Sequence, residues 1–87
     1  MKNPPAFRMY TTQTCPYCRR AKALLKDRGF EFEEILIDSS DDEAWEKLEK
    51  QSGMQTVPQI WFRDQLIGGY SDLAAIDEQD KLARFKG

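Results

Sequence analysis

The sequence contains no histidine and only two cysteines among its 87 residues. The absence of histidine removes the usual general base and the commonest protein ligand for metals, and it excludes a catalytic Cys-His pair. A structural zinc site takes four ligands, and a chain with two cysteines and no histidine is not expected to hold a zinc ion or another resident metal. Any thiol chemistry must therefore rest on electrostatics.

Long apolar runs and an excess of positive charge are also missing. No stretch approaches the roughly 20 apolar residues that cross a bilayer, and residues 1–6 lack the apolar core of a secretory signal. The 13 basic and 15 acidic side chains give a net charge of −2, with no basic block suited to nucleic acid or an anionic membrane. We therefore expect a cytoplasmic protein that binds neither, with a single domain over residues 1–87.

Both cysteines lie in the motif Cys15-Pro16-Tyr17-Cys18. Proline suits the first position of a helix, where its missing N–H costs no hydrogen bond, so the motif predicts a helix start. A sulfur at Cys15 would then meet free backbone N–H groups and the helix dipole, which favour a thiolate. In a chain without an export signal, a close cysteine pair indicates a transient catalytic disulfide rather than a structural one. Two inert buried thiols are the alternative interpretation.

Periodicity along the chain predicts alternating strands and helices. Strands are predicted at 7–11, 30–38, 58–62 and 66–68, and helices at 15–28, from 40 to about 51, and after residues 69–71, which lead into the last helix. Ser40 and Glu43 form a capping-box pattern for the second helix, while Gly29 and Gly53 are predicted to end the first and second helices. The last helix is predicted to kink or restart at 77–80.

This order of elements, β-α-β-α-β-β-α, predicts the fold class. It implies a parallel strand pair joined by a crossover helix, followed by an antiparallel hairpin. The expected fold is α/β, with a four-stranded mixed sheet flanked by helices on both faces. The cysteine motif would follow the carboxyl end of the first strand, where open α/β sheets place their ligand sites.

Three motifs in this order resemble those of the dithiol glutaredoxins of the CPYC type. Besides the cysteine motif they are a Thr-Val-Pro turn at 56–58 and a double glycine that opens the segment 68–73. The match covers nearly the whole chain. It implies a thioredoxin-like fold, in agreement with the predicted order of elements, and a glutathione-dependent thiol–disulfide oxidoreductase.

The resemblance assigns different roles to the two cysteines. It implies that Cys15 takes glutathione from a mixed disulfide and is released by a second glutathione. It implies that Cys18 is needed when the substrate is an intramolecular protein disulfide. The expected partners are glutathione, as co-substrate, and glutathionylated or disulfide-bearing proteins, and the protein is expected to act as a monomer.

The resemblance also implies a glutathione site. Tyr17 would shield the sulfurs, and the backbone of Val57, in a cis-proline turn, would pair with the cysteinyl part of glutathione. The start of the last helix would hold the γ-glutamyl end, and Ser71 is a suitable N-cap there. The full expected set is Thr12, Tyr17, Thr56, Val57, Pro58, Gly69, Tyr70, Ser71 and Asp72.

The chain departs from the family's pattern in its charges. Thr12 stands where many relatives carry a lysine, and Met54 and Gln55 stand where a basic residue often precedes the Thr-Val-Pro turn. Both changes remove positive charge near the glycyl carboxylate of glutathione. Arg19 and Lys22 are the candidates to replace it.

Two alternative functions remain open on the sequence. The missing basic residues would also fit a redoxin of the same fold that takes electrons directly from a thioredoxin reductase. The other alternative is a dimer that bridges an iron–sulfur cluster through Cys15 and two glutathione molecules. Pro16 argues against the cluster by stiffening the loop beside the sulfur, and Cys18 does so by offering a competing disulfide.

Overall fold

The computed structural model describes residues 5–86. Residues 1–4 of the N-terminal segment, in which no secretory signal is predicted, lie outside the described residues. The strands are β1 (Phe7–Thr11), β2 (Phe32–Leu36), β3 (Gln59–Phe62) and β4 (Gln65–Gly68). The helices are α1 (Pro16–Asp27), α2 (Asp42–Ser52) and α3 (Tyr70–Asp80), followed by a 3-10 turn at Ala83–Phe85. Within the described residues, no helix has the length and apolar character needed to cross a bilayer.

The four strands form one mixed sheet in the order β2-β1-β3-β4. β1 pairs in parallel with β2 along one edge and antiparallel with β3 along the other, and β3 continues into an antiparallel hairpin with β4. The predicted α/β topology is therefore confirmed. Because β1 is central, the loop that follows it carries the cysteine motif to the middle of one end of the sheet.

The core lies between β1, β3 and the two helices α1 and α3. Alternate residues of β1 are buried, and the ring of Phe7 lies 5.1 Å from that of Phe30, 5.1 Å from Phe62 and 5.2 Å from Phe85, between centroids. The other members of this buried cluster are Met9, Ala21, Leu25, Ile60, Leu73 and Leu82. The core thus holds α1, and with it the cysteine motif, against the central strands.

The start of α2 differs from the prediction. Asp41 is the N-cap, and its carboxylate accepts a hydrogen bond from the Ala44 N–H at 3.1 Å. The Ser40 hydroxyl instead donates to Asp38 at 2.8 Å, so the predicted capping box of Ser40 and Glu43 is wrong. Aspartate and serine cap helices about equally well, and adjacent candidates of equal strength cannot be separated locally.

The start of α3 also differs from the prediction. Gly69 is the N-cap, so the predicted N-cap at Ser71 is wrong and Ser71 lies inside the first turn. The Asp72 carboxylate accepts a hydrogen bond from the Gly69 N–H at 2.9 Å. A side chain on Gly68 would collide with that carboxylate, and Gly68 has a φ of 126°. The predicted interruption of this helix is confirmed, and it lies one residue beyond the predicted range, where α3 ends at its C-cap Lys81.

A bidentate ion pair joins α1 to α3. The Arg28 guanidinium donates to both carboxylate oxygens of Asp77, at 2.7 and 3.1 Å, and these hydrogen bonds hold the pKa of Asp77 below its ordinary value. The lowered pKa stabilises the folded state above the ordinary Asp value of about 4 and stops doing so as the pH falls through the folded-state value. We expect Asp77→Asn to lower Tm at neutral pH and to have no effect below the folded-state pKa.

The matched control is Glu46→Gln, which removes an exposed pair with Lys50, 3.7 Å apart. Exposed pairs of this kind contribute little, so its Tm should stay near that of the wild type. Thermal unfolding followed by circular dichroism from neutral to acid pH compares the two variants. A pH-independent effect of Asp77→Asn, or equal shifts in both variants, would contradict the role of the ion pair.

Candidate active site

Cys15 is the N-cap of α1 and is followed by Pro16 in the first turn, as the sequence predicts. The backbone N–H of Cys18 donates to the Cys15 sulfur at 3.2 Å. This N–H is one of those that a helix start leaves without a backbone partner, so it can stabilise negative charge on the sulfur. The Cys15 thiol also reaches the Val57 carbonyl, to which it donates at 3.8 Å.

Cys18 lies one turn further along α1 and is only 1% exposed. Burial, together with its hydrogen bond to Cys15, raises the pKa of Cys18 to about 12, although a backbone hydrogen bond from Thr12 opposes this. Both thiols are free. The pair therefore combines a half-exposed sulfur at a helix start with a buried thiol that keeps its proton at neutral pH.

This asymmetry predicts selective alkylation. At neutral pH, far below the Cys18 pKa of about 12, iodoacetamide should modify the reduced protein once, at the more exposed Cys15, because the thiolate is the reactive form. Peptide mass spectrometry locates the adduct.

The Cys15→Ser variant is the control for this experiment. It should stay unmodified while folded and gain an adduct at Cys18 when denatured. Modification of the folded variant at the rate of a free thiol would contradict the buried, protonated state of Cys18.

A groove of about 470 Å³ is lined in part by Val57, whose carbonyl contacts the Cys15 thiol. Its walls come from the first turn of α1, the turn before β3 and the start of α3. The lining residues are Tyr17, Met54, Thr56, Val57, Pro58, Gly69, Tyr70, Ser71 and Asp72. The structure thus brings together every residue of the expected glutathione site except Thr12, although those residues lie far apart in the sequence.

The buried side-chain amide of Gln59 holds the Thr56–Pro58 turn in place by hydrogen bonds to its backbone. The Val57–Pro58 peptide bond is cis, as the resemblance implies. The Gln59 side chain is fully buried and donates to the carbonyls of Met54, at 3.2 Å, and Thr56, at 2.9 Å. This role of Gln59 was not predicted, and the available signal was a polar residue at the start of an otherwise apolar strand.

Besides Gln59, Met54 is a residue of the site that was not predicted. It lines the groove, where its thioether adds apolar surface. Gln55, by contrast, donates its side-chain amide to Glu49 of α2 at 2.8 Å.

Thr12 lies apart from the groove. It lines a second depression of about 270 Å³ together with Gln13, Thr14 and residues 36–39. Although Thr12 is close to Cys15 in the chain, it therefore faces the β2 side of the cysteine loop. Its backbone also hydrogen-bonds to Cys18, so Thr12 borders the cysteine pair without lining the groove.

A cysteine pair at a helix start, packed against a cis-proline turn on a mixed four-stranded sheet, defines a thiol–disulfide oxidoreductase of the thioredoxin-like class. The sequence model of the Glutaredoxin family matches residues 8–67. The chain is 49% identical over 74 residues to glutaredoxin 3 of Escherichia coli K12, covering 85% of this chain and 88% of that protein. It therefore belongs to the glutaredoxin family and is a glutathione-dependent thiol–disulfide oxidoreductase.

Further relatives agree with this assignment. The glutaredoxin of Pseudomonas aeruginosa PAO1 is 44% identical over 79 residues, which cover 91% of this chain and 92% of that one. The structure of a Brucella melitensis glutaredoxin matches with a TM-score of 0.77 at 40% identity, over 93% of this chain and 87% of that one. A buckwheat glutaredoxin–glutathione complex has the same fold, with a TM-score of 0.83 at 24% identity, over 93% of this chain and 76% of that one.

Proposed function

We propose that Cys15 is the nucleophile in the reduction of glutathione mixed disulfides. Its thiolate attacks the glutathione sulfur, a bond forms between the two sulfurs, and the target leaves as a thiolate that takes up a proton. A second glutathione thiolate then attacks the bound glutathione sulfur, which releases glutathione disulfide and restores the Cys15 thiolate. The observation that carries this proposal is the position of the Cys15 sulfur at a helix start and in contact with Val57, which lines the groove.

We propose that Cys18 acts only when the target is a protein disulfide. Attack by Cys15 on such a disulfide leaves the target covalently bound. Cys18 then attacks the Cys15 sulfur, forms the Cys15–Cys18 disulfide and frees the second target thiol, which takes the proton that Cys18 gives up. Two glutathione molecules supply the electrons that reduce this disulfide. The buried thiol of Cys18, with its raised pKa, suits a group that reacts second.

We assign the groove to glutathione. The start of α3 presents backbone N–H groups suited to a carboxylate, and Ser71 and Asp72 lie there. The turn at Thr56–Pro58 offers the Val57 backbone beside the reactive sulfur, where the cysteinyl part of glutathione would pair in an extended conformation. The buckwheat relative of the same fold was solved as a glutathione complex, which supports the assignment.

We further propose that residues 1–87 act as one domain and as a monomer in the cytoplasm, where thiols are kept reduced. The other partners would be glutathionylated and disulfide-bearing proteins, and the proposed steps use no metal.

The groove lining contains no lysine or arginine. This observation is what motivates a second candidate for the electron donor, thioredoxin reductase, in a redoxin of the same fold.

Trapping the intermediate tests the proposed site. The Cys18→Ser variant, incubated with glutathione disulfide, should gain one glutathione on Cys15, detected by mass spectrometry. Amide NMR shifts between the free and glutathionylated forms should concentrate at Tyr17, residues 54–58 and residues 69–72. An adduct elsewhere, or shifts centred on the depression that contains Thr12, would contradict the assignment.

A further inference from the structure

The charge of the groove does not match its proposed ligand. Glutathione carries two carboxylates and one ammonium group at neutral pH, and a mixed disulfide that contains it keeps these charges. The groove is lined by one carboxylate, that of Asp72, and by no cationic side chain. Beyond the backbone N–H groups at the start of α3, a cationic side chain that attracts this ligand must therefore lie just outside the lining.

Lys22 does not supply that charge, although the sequence makes it a candidate. Its ammonium group lies 2.9 Å from the Glu34 carboxylate on β2. Thr11 donates to the same carboxylate oxygen at 2.7 Å, which fixes the pair on the β2 side of α1. The lysines of α2 are likewise paired, Lys47 with Glu43 at 3.6 Å and Lys50 with Glu46 at 3.7 Å.

Arg20 is placed differently from these lysines. Its guanidinium carbon lies 5.5 Å from the centroid of the Tyr17 ring, within the range of a cation–π contact. Tyr17 lines the groove, and its ring centroid lies 6.1 Å from that of Tyr70 at the start of α3. Among the ion pairs formed within residues 5–86, none includes Arg20. Its charge is therefore uncompensated and held at the groove by Tyr17.

We propose that Arg20 supplies the positive charge by which the groove selects anionic disulfides, an inference that rests on the proposed binding of glutathione. Tyr17 is three residues before Arg20, so one helical turn brings the two side chains together. Charges within about 10 Å interact at an ionic strength of 0.1 M. Because exposed charge pairs contribute about 0.2 to 1 kcal/mol, the expected effect on reaction with glutathione disulfide is about 1.4- to 5-fold.

The test compares Arg20→Gln with Arg19→Gln, its exposed neighbour, which removes the same net charge. The reduced proteins are mixed with glutathione disulfide or with the neutral bis(2-hydroxyethyl) disulfide, and second-order rate constants are measured by quenched flow. Arg20→Gln should slow the reaction with glutathione disulfide about 1.4- to 5-fold at low salt. The difference should vanish at about 1 M salt, where the screening length is about 3 Å.

Three further results are expected in the same experiment. The neutral disulfide should react equally fast with all variants, Arg19→Gln should behave as the wild type, and Arg20→Lys should retain most of the rate. The proposal is overturned if the two glutamine variants lose rate equally, since net charge alone would then explain the effect. It is also overturned if Arg20→Gln has no effect or slows the neutral disulfide equally, since the latter would mean that Arg20 acts on the thiol.

If the groove does not bind glutathione, the same rate measurements give a different result. In that case the wild type itself would react no faster with glutathione disulfide than with the neutral disulfide at low salt. A wild-type preference for glutathione disulfide that Arg20→Gln leaves intact would overturn the role of Arg20 alone.

Discussion

Replacement of Cys15 by serine is expected to abolish the reduction of glutathione mixed disulfides. A serine hydroxyl cannot form the disulfide intermediate that the reaction passes through. Cys18 cannot replace Cys15, because it is 1% exposed and burial raises its pKa to about 12, which leaves almost no thiolate at neutral pH. Turnover of a glutathionylated peptide, coupled to glutathione and glutathione reductase, should fall to the uncatalysed rate.

Cys18→Ser is the matched variant for this experiment. It keeps the helix start, Pro16 and the groove, so it should reduce the glutathionylated peptide but lose most of its activity towards an intramolecular protein disulfide. Loss of both activities in Cys18→Ser would count against the division of roles. Substantial turnover by Cys15→Ser would count against Cys15 as the nucleophile.

Replacement of Phe7 by alanine is expected to have the largest effect on stability. Phe7 is 1% exposed and packs against the rings of Phe30, Phe62 and Phe85. Removing a buried ring of this kind costs about 3 to 5 kcal/mol, in domains whose whole stability is about 5 to 15 kcal/mol. In urea unfolding, the midpoint should fall strongly while the slope m stays unchanged.

Two variants control this prediction. Phe7→Leu keeps an apolar side chain at the position and should cost clearly less than alanine. Leu36→Ala truncates a side chain that is 54% exposed, and substitutions at such sites stay within about 0.5 kcal/mol. If Phe7→Ala and Leu36→Ala shifted the midpoint equally, the aromatic cluster would not be the centre of the core.

Much of the fold was predictable because the signals are local. The alternation in Phe7–Thr11, the proline at the start of α1 and Gly53 at the end of α2 each act within a few residues, and the structure contains all three features. The errors fall where neighbouring residues compete for one role. Asp41 rather than Ser40 caps α2, and the cap of α3 is Gly69, because Asp72 supplies the capping carboxylate from within the helix.

The site was predictable in its motifs and less so in its side-chain directions. Three motifs predicted the segments that meet in the groove, but no periodicity fixes where a loop side chain points. Thr12 therefore lines the depression next to the end of β2 and not the groove. The roles of Gln59 and Arg20 depend on contacts with Met54 and Tyr17, which only the folded chain reveals.

The electron donor tests the proposed function most directly. Purified protein should be assayed for reduction of a glutathionylated peptide in two parallel systems, one containing glutathione with glutathione reductase and the other containing thioredoxin reductase alone. Turnover with glutathione and none with thioredoxin reductase is the predicted result, and it would show that the groove functions without a lysine or arginine in its lining. Turnover only in the thioredoxin reductase system, and none with glutathione, would contradict the assignment of the groove to glutathione.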